Sequence, residues 1–279
     1  MPAREPLIIP APAPGRHRTT FTGVVGAVCM LPLRGIINLS VALGIHPNVL
    51  TLIGVLINMI AGFALARDRF LLAGVIMIVA NIFDFIDGKV AHITGTQSAF
   101  GAFWDSTLDR FSDLALFTGL VYLYSTLGRH DYVLITTLTL IFATMTSYAR
   151  ARAESLVQKC KVGFMERPER IVLFMIGAFT DRMAAVLWVI LVLSVVTVAD
   201  RIYYTYLALN DLPLPSQNGV GGVLKRAFFW TDDRATIAYD VWVIAILAFV
   251  WLTPPAWIGD PTASGPGLIG LLLRAAHLR

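Results

Sequence analysis

Residues 84–92 read DFIDGKVAH, and residues 101–109 read GAFWDSTLD. Each segment carries two aspartates, three residues apart in the first and four apart in the second, so each pair lies on one face of a helix. The flanking residues are apolar, and a charged side chain at membrane depth costs about 2.5–3.5 kcal/mol on insertion scales. Four such charges at these spacings indicate function rather than helix capping or solvated loops. They are Asp84, Asp87, Asp105 and Asp109.

The two aspartate pairs are expected to converge in space. The connection between their helices is short, which makes the helices antiparallel neighbours and brings all four carboxylates to one end of a bundle. Carboxylates this close repel one another strongly unless cations lie among them. Mg²⁺ and Mn²⁺ are hard ions that prefer oxygen ligands and phosphate partners. The spacing therefore predicts a divalent metal site suited to a phosphate-containing substrate.

The composition indicates a protein that lies in lipid. The chain is 57% hydrophobic and 14% charged, whereas soluble domains carry about a quarter charged residues. The net charge of +4 fits cytoplasmic loops and anionic headgroups, and no basic run with interleaved aromatics indicates a nucleic-acid partner. We therefore expect an all-α integral membrane protein whose spans each need about 20 mostly apolar residues. The six predicted transmembrane helices cover residues 49–67, 70–91, 99–127, 131–154, 168–181 with its flanks, and 183–206.

Four regions follow one another along the chain. A Pro-rich, basic start predicts a disordered cytoplasmic tail, and the next segment, apolar but broken by Pro32 and Arg34, predicts an interfacial amphipathic helix. The six-helix domain comes third, and the last region is a C-terminal extension with a possible extra membrane helix. Lys and Arg are concentrated on the inner side if the N-terminus is cytoplasmic, which predicts a multi-pass cell-membrane protein with its aspartates facing the cytoplasm. The regions are 1–20, 21–45, 46–207 and 208–279.

The aspartate segment resembles the motif of the CDP-alcohol phosphotransferases, D-x2-D-G-x2-A-R-x8-G-x3-D-x3-D. Every fixed position is matched except that His92 stands where the family has Arg. The resemblance implies that Asp84, Asp87 and Asp105 ligate two Mg²⁺ ions, with Mn²⁺ possible, and that Asp109 is both a ligand and the general base. His is mostly neutral near pH 7 whereas Arg is always charged, so we expect His92 to change a nucleotide contact.

The same resemblance implies a binding site for CDP. Gly88 and Gly101 leave room for close approach of backbones and a nucleotide. The PNVLT segment at 47–51 resembles the start of the family's first span, although a helix that begins at Pro47 explains it equally well. The residues expected to contact CDP are Asn48, Thr51, Asp84, Gly88, Ala91, His92 and Gly101.

A second, basic pattern concerns the acceptor. Residues 147–154 read SYARARAE, and residues 163–170 read GFMERPER. Both are similar to segments of the actinobacterial phosphatidylinositol-phosphate synthases and archaeal archaetidylinositol-phosphate synthases. That resemblance implies that Arg150, Arg170 and Arg201 bind the phosphate of inositol phosphate, a task for which guanidinium forks are suited.

Other charged residues near these two patterns have plainer interpretations. For Lys159, Lys161 and Arg167 the sequence favours the ordinary excess of basic residues on the inner face. Asp113, one helical turn beyond Asp109, is expected to bond to Asp109 or to hold a basic partner.

The predicted function is phospholipid synthesis. The enzyme is expected to transfer the phosphatidyl group of CDP-diacylglycerol to inositol phosphate, forming phosphatidylinositol phosphate and CMP, and the family resemblance also implies a homodimer. Glycerol 3-phosphate, which gives phosphatidylglycerophosphate, or another polyol phosphate stays open as the acceptor. A regulatory relative with reduced catalysis is open because of His92. A cation-coupled transporter is disfavoured, because the acidic residues lie toward one face and the chain has no internal repeat.

Overall fold

The computed structural model describes residues 35–213, 230, 237–263 and 265, and every regular element in this part of the chain is an α-helix. The predicted tail at 1–20, and most of the predicted interfacial helix at 21–45, lie outside the described residues. Of the latter, residues 35–42 are helical. Most of the extension before residue 237 and after residue 263 also lies outside them.

In the described part of the chain, eight helices follow residues 35–42. Connections of two to four residues join the first six, except that a loop of twelve residues lies between the fourth and the fifth. Pro47 starts α1, where the preceding His46 accepts a hydrogen bond from the Asn48 backbone. Ser98 caps α3 by accepting from the Gly101 N–H. The helices are α1 Pro47–Ala66, α2 Phe70–Thr94, α3 Ala99–Thr126, α4 His130–Glu154, α5 Arg167–Thr180, α6 Met183–Leu209, α7 Ile237–Leu252 and α8 Pro255–Ile258.

Because consecutive helices alternate in direction, the bundle has two ends. At the aspartate end lie the start of α1, the end of α2, the start of α3, the end of α4, the start of α5 and the end of α6. At the far end lie the three tight connections 67–69, 127–129 and 181–182. Helix α1 packs along α2 and α3, α4 packs on α3 and α6, and α5 packs on α2 and α6.

Four helices are long and apolar enough to cross a membrane, namely α1, α2, α4 and α6. The predicted count of six is not reached for two separate reasons. Helix α3 has 28 residues, but it carries four charged residues between positions 105 and 113, namely Asp105, Asp109, Arg110 and Asp113. Helix α5 has only 14 residues. The many exposed apolar side chains of the bundle, such as Leu71 at 66% exposure, are those of a membrane protein.

Close backbone contact joins the helices that carry the site. A Cβ on Gly62 of α1 would lie 2.5 Å from the Ala115 carbonyl oxygen of α3, and a Cβ on Gly119 would clash with the Gly62 backbone. The two glycines therefore let α1 and α3 touch at their backbones. Two residues before Gly119, Phe117 of α3 packs edge-on against Phe174 of α5, with ring centroids 4.9 Å apart. This core holds the aspartate-bearing ends in fixed positions.

The described part of the extension reaches both ends of the bundle. Near the start of α7, the Tyr239 hydroxyl donates to Glu169 in the first turn of α5, at 3.1 Å. After α8, the Ile258 carbonyl accepts from the Tyr132 hydroxyl, and the Gly259 carbonyl accepts from Arg129, both at 2.6 Å. Helix α7 thus runs from the aspartate end to the far end, and its 16 residues span about 24 Å.

Candidate active site

Three of the predicted carboxylates meet at the aspartate end. One oxygen from each of Asp84 on α2, Asp105 on α3 and Asp109 on α3 lies within 4.8 Å of the others, and we call these three residues the carboxylate cluster. Asp87 is not in this group of three. It lies beside the cluster, buried at 6% exposure, and accepts a hydrogen bond from the Thr51 hydroxyl at 2.5 Å. The predicted convergence of the two helices is therefore observed.

The carboxylate cluster fits a divalent cation. Its donors are hard oxygen atoms, which Mg²⁺ and Mn²⁺ prefer. The Asp109 Oδ1 atom is buried and accepts no well-aligned hydrogen bond from the described residues. Three carboxylates this close also need positive charge between them. The residues present are thus those that a divalent ion bound to a phosphate requires.

Arg167 provides the positive charge in the cluster as it stands. Its Nη1 atom lies 2.8 Å from Asp84 and 2.9 Å from Asp109, and its side chain is 14% exposed. The interpretation of Arg167 as an ordinary inner-face cation was wrong, because the first turn of α5 points this guanidinium between α2 and α3. The three-residue spacing to Arg170, which places both side chains on one helix face, was the available signal.

Arg170 lies deeper than Arg167. Its side chain is 2% exposed, its Nη2 donates to Asp113 at 2.6 Å, and its Nη1 donates to the Thr146 hydroxyl at 3.1 Å. Asp113 therefore holds a basic partner, which was one of its two expected roles. A buried, paired guanidinium of this kind costs free energy to desolvate and is strongly destabilising when one partner is removed.

Arg150 and Arg201 meet at a carboxylate, Glu166, whose interpretation from the sequence was an ordinary i,i+4 pair with Arg170. The Glu166 Oε1 atom accepts from Arg150 Nη1 at 2.8 Å, and Arg201 Nη2 lies 3.5 Å away. Arg201 is 2% exposed and also donates to the carbonyls of Val162 and Thr146. We call Arg150, Glu166 and Arg201 the basic wall. A glutamate between two arginines that are far apart in sequence leaves no local pattern that could reveal it.

One pocket joins the carboxylate cluster to the basic wall. It has a volume of about 380 Å³. Its walls include Ser106, Asp109, Arg110, Thr146, Arg150, Glu166, Arg167 and Arg201. Arg170 is not among its lining residues, because its guanidinium lies behind Thr146 and Asp113. The pocket can therefore hold one anionic group against Arg150 and Arg201 while another group faces Asp109.

Comparisons with known proteins identify this arrangement. A family model described as CDP-alcohol phosphatidyltransferase matches residues 44–199. The chain belongs to this family. The family predicted from the aspartate motif, and with it the predicted enzyme class, is confirmed.

Relatives and a solved structure agree with this assignment. The chain is 38% identical to the archaetidylinositol phosphate synthase of Pyrococcus horikoshii over 173 residues, which cover 62% of this chain and 89% of the relative. It is 30% identical to the phosphatidylinositol phosphate synthase of Mycobacteroides abscessus over 195 residues, 67% of this chain and 85% of the relative. The crystal structure of Mycobacterium tuberculosis phosphatidylinositol phosphate synthase with CDP-DAG bound superposes with a TM-score of 0.60 at 25% identity, covering 66% of this chain and 98% of that one.

The residues predicted to contact CDP lie in two places on this phosphatidyltransferase. Asn48 lies beside Gly101, where a Cβ would come within 3.5 Å of the Asn48 side-chain oxygen, and the Asn48 carbonyl accepts from the Trp104 indole at 3.1 Å. Thr51 bonds to Asp87 as described above. These contacts draw the start of α1 against α2 and α3.

The second group of predicted CDP contacts lies on another face of α2. Gly88 and His92 line a separate pocket of about 320 Å³ together with Phe85 and Lys89. A Cβ on Gly88 would meet no atom within 4 Å, so the helix leaves open space there. Ala91 is half-buried beside them, whereas His92 is exposed. His92 is thus not a lining residue of the pocket that contains Asp109.

The phosphatidyltransferase has a buried thiol near the basic wall. Cys160 lies in the α4–α5 loop, residues 155–166, and its side chain is fully buried with Ala153 and Val162. Burial raises the pKa of the Cys160 thiol, so little thiolate is present at neutral pH and the residue is a poor nucleophile. Cys29, the other cysteine, lies outside the described residues. Cys160 is therefore a packing residue of this loop.

Proposed function

We propose that this enzyme transfers the phosphatidyl group of CDP-diacylglycerol to inositol phosphate, releasing CMP and forming phosphatidylinositol phosphate. The observation that carries the proposal is the single pocket between Asp109 and the basic wall. A phosphorylated polyol needs its phosphate bound at one end and a hydroxyl placed at the reacting phosphorus at the other. The relatives, which are phosphatidylinositol and archaetidylinositol phosphate synthases, support the same acceptor.

The carboxylates are the proposed metal ligands. Asp84, Asp87, Asp105 and Asp109 would hold two Mg²⁺ ions, with Mn²⁺ as a possible substitute. Bound cations in such a site neutralise phosphate charge and stabilise the leaving CMP. Thr51 orients the Asp87 carboxylate toward this site by its 2.5 Å hydrogen bond. Arg167 balances the charge of Asp84 and Asp109 and keeps the carboxylates together between turnovers.

Asp109 is the proposed general base. It is the one carboxylate of the cluster that lines the pocket, so an acceptor hydroxyl held there faces it. Asp109 takes the hydroxyl proton as the oxygen attacks the β-phosphorus, and the bond from that phosphorus to the oxygen of CMP breaks. Such a base contributes about 10²–10⁴-fold to the rate.

The three arginines have two different proposed roles toward the acceptor phosphate. Arg150 and Arg201 line the pocket and would bind the phosphate directly, which releases them in part from Glu166. Arg170 contributes its charge from behind the wall and fixes Thr146, the residue whose carbonyl Arg201 binds. This arrangement would orient a hydroxyl of the acceptor toward the donor phosphate.

The proposal for the cytidine part of the donor follows the family resemblance. Asn48, Thr51 and Gly101 form one side of the path, and Gly88, Ala91 and His92 form the other, with Asp84 between them on α2. The open space beside Gly88 supports a bound group there. His92 would contact the nucleotide through its imidazole ring in place of the family's arginine.

The topology and assembly are proposed as well. Helices α3 and α5 would complete six spans, with the carboxylate cluster facing the cytoplasm of the cell membrane. The basic residues support this, because Lys89, Arg150, Arg152, Arg167 and Arg201 are at the aspartate end whereas Arg67, Arg69, Arg129 and Arg182 are at the far end. A homodimer is proposed from the family resemblance.

The test is release of CMP by the purified enzyme with Mg²⁺ and CDP-diacylglycerol. Inositol 3-phosphate, glycerol 3-phosphate, free inositol and serine are compared as acceptors. Release that depends on inositol 3-phosphate supports the proposal. Release with glycerol 3-phosphate instead would contradict the assignment of inositol phosphate as the acceptor, but it would agree with the proposed roles of the aspartates. If no acceptor gives release, the same assay on His92→Arg shows whether that position limits catalysis.

A further inference from the structure

The C-terminal extension has no counterpart in the matched region of the family. The family model ends at residue 199. The two relatives align with only 62–67% of this chain, although those alignments include 85–89% of the relatives' own length. Among the described residues, Trp230 and Tyr239 connect the extension to the aspartate end of the bundle. Both residues contact elements that carry the basic wall.

Trp230 is bound through both of its backbone groups. Its carbonyl accepts from the Gly163 N–H at 2.9 Å. Its N–H lies beside the Asp200 carboxylate on α6 and stabilises the charge of that carboxylate. The side chain is 6% exposed. A single residue of the extension therefore links the α4–α5 loop to the end of α6.

An aromatic cluster reinforces this link. The Trp230 ring meets the Phe164 ring edge-on at a centroid distance of 5.3 Å, and Tyr239 meets Phe164 at 5.5 Å. Trp242 of α7 packs on Trp230 at 6.3 Å. Aromatic pairs of this kind contribute about 0.5–1.5 kcal/mol each beyond the area that they bury. Phe164 is thus enclosed by the extension on two sides.

The other side of the same loop is fixed to α6. Gly163 has a φ of +91°, and a Cβ there would collide with Thr197. The Met165 N–H donates to the Thr197 hydroxyl at 3.0 Å. Only glycine permits this conformation at such close approach. The α4–α5 loop is therefore held between α6 and the extension.

At the aspartate end, each contact that Trp230 and Tyr239 make with the bundle lies within three residues of a residue of the acceptor site. Gly163 and Phe164 precede Glu166, Asp200 precedes Arg201, and Glu169, which accepts from Tyr239 at 3.1 Å, precedes Arg170. Glu169 is itself buried, at 8% exposure. Through Trp230 and Tyr239, the extension thus contacts the neighbours of three acceptor-site residues.

We propose that the extension is a clasp that positions the basic wall, with Trp230 and Tyr239 as its positioning residues. The inference rests on the proposed acceptor site. A loop held in its binding conformation loses less freedom when the acceptor binds, so the clasp lowers the acceptor KM. The donor and the metal bind on the other side of the pocket and do not depend on the clasp.

The test uses the full-length enzyme and three variants. In Trp230→Ala the KM for the acceptor rises about tenfold, while the KM for CDP-diacylglycerol and the Mg²⁺ dependence stay as in the wild type. In Trp230→Phe, which keeps an aromatic ring against Phe164, most of the affinity returns. The control is Trp257→Ala on α8, a side chain 74% exposed at the far end, which leaves both KM values unchanged.

Hydrogen exchange of the peptide that covers the α4–α5 loop gives a second readout. The loop amides exchange faster in Trp230→Ala than in the wild type, and at the wild-type rate in Trp257→Ala. An unchanged acceptor KM, or equal increases in both KM values with a lowered unfolding temperature, would overturn the clasp.

Different results would contradict the assignment of the acceptor and the role of the clasp. The acceptor used for the KM is the polyol phosphate that supports CMP release by the wild type. If this proves to be glycerol 3-phosphate, the choice of inositol phosphate is wrong, but the clasp is still judged by that KM and by the exchange rates.

Discussion

The two sides of the active-site pocket are built in different ways. The carboxylate cluster comes from two helices adjacent in sequence, and its members lie within residues 84–109. The basic wall comes from the end of α4, the α4–α5 loop and the end of α6, and the extension holds it from outside. Spacing along a helix is sufficient to build the first, whereas the second exists only once distant segments have packed. We therefore expect substitutions at or beside the carboxylate cluster to affect catalysis and metal binding, and substitutions in the basic wall to affect acceptor binding.

The largest effect is expected on the carboxylate side. Asp109→Asn should lower kcat by about 10²–10⁴-fold, because the amide cannot take the acceptor proton. The measurement is CMP release at saturating concentrations of both substrates, with thermal unfolding to verify the fold. Asp131→Asn, an exposed aspartate at the far end, is the matched control and should behave as the wild type. Normal turnover by Asp109→Asn would remove Asp109 from its proposed role.

On the basic wall, a substitution should change acceptor binding alone. Arg201→Gln should raise the acceptor KM about a hundredfold, since it removes a guanidinium proposed to bind the phosphate and leaves Glu166 with one cation fewer. The KM for CDP-diacylglycerol should not change. Arg152→Gln, an exposed residue at the same end of the bundle, serves as the control. Equal changes in both KM values would show that the two sides of the pocket are not separable.

A substitution beside the carboxylate cluster should affect the metal. Thr51→Val removes the hydrogen bond to the buried Asp87 while keeping the shape of the side chain. The Mg²⁺ concentration for half-maximal activity should rise about tenfold, because an orienting partner of a ligand is lost. The acceptor KM measured at saturating Mg²⁺ should stay constant. An unchanged Mg²⁺ requirement would argue that Asp87 is not a ligand.

The smallest effect concerns the α4–α5 loop. In a Cys29→Ser background the Cys160 thiol should react with a maleimide only slowly at pH 7, because burial raises its pKa and shields it. Raising the pH should speed the reaction as thiolate forms. Trp230→Ala should speed it at constant pH, which would connect the loop to the extension by a measurement independent of catalysis. Rapid labelling of the folded wild type would contradict the described burial.

Several features of this protein were determined by its sequence alone. The helical bundle, the family and the convergence of Asp84 with Asp105 and Asp109 follow from apolar length and from spacings of three and four residues, which are local properties of a helix. For Asp113 the sequence predicted either a bond to Asp109 or a basic partner, and the structure shows a basic partner, Arg170.

Other features were decided by the tertiary structure. Arg167 was interpreted as an ordinary inner-face cation, yet the packing of α5 against α2 inserts it between Asp84 and Asp109. Glu166 joins Arg150, 16 residues before it, to Arg201, 35 residues after it, and Trp230 reaches Gly163 across 67 residues. Such contacts depend on how whole helices cross and on where a glycine allows two backbones to touch, as at Gly62 and Gly119. No periodicity within one segment contains that information, because the energy of these contacts appears only when the segments are packed together.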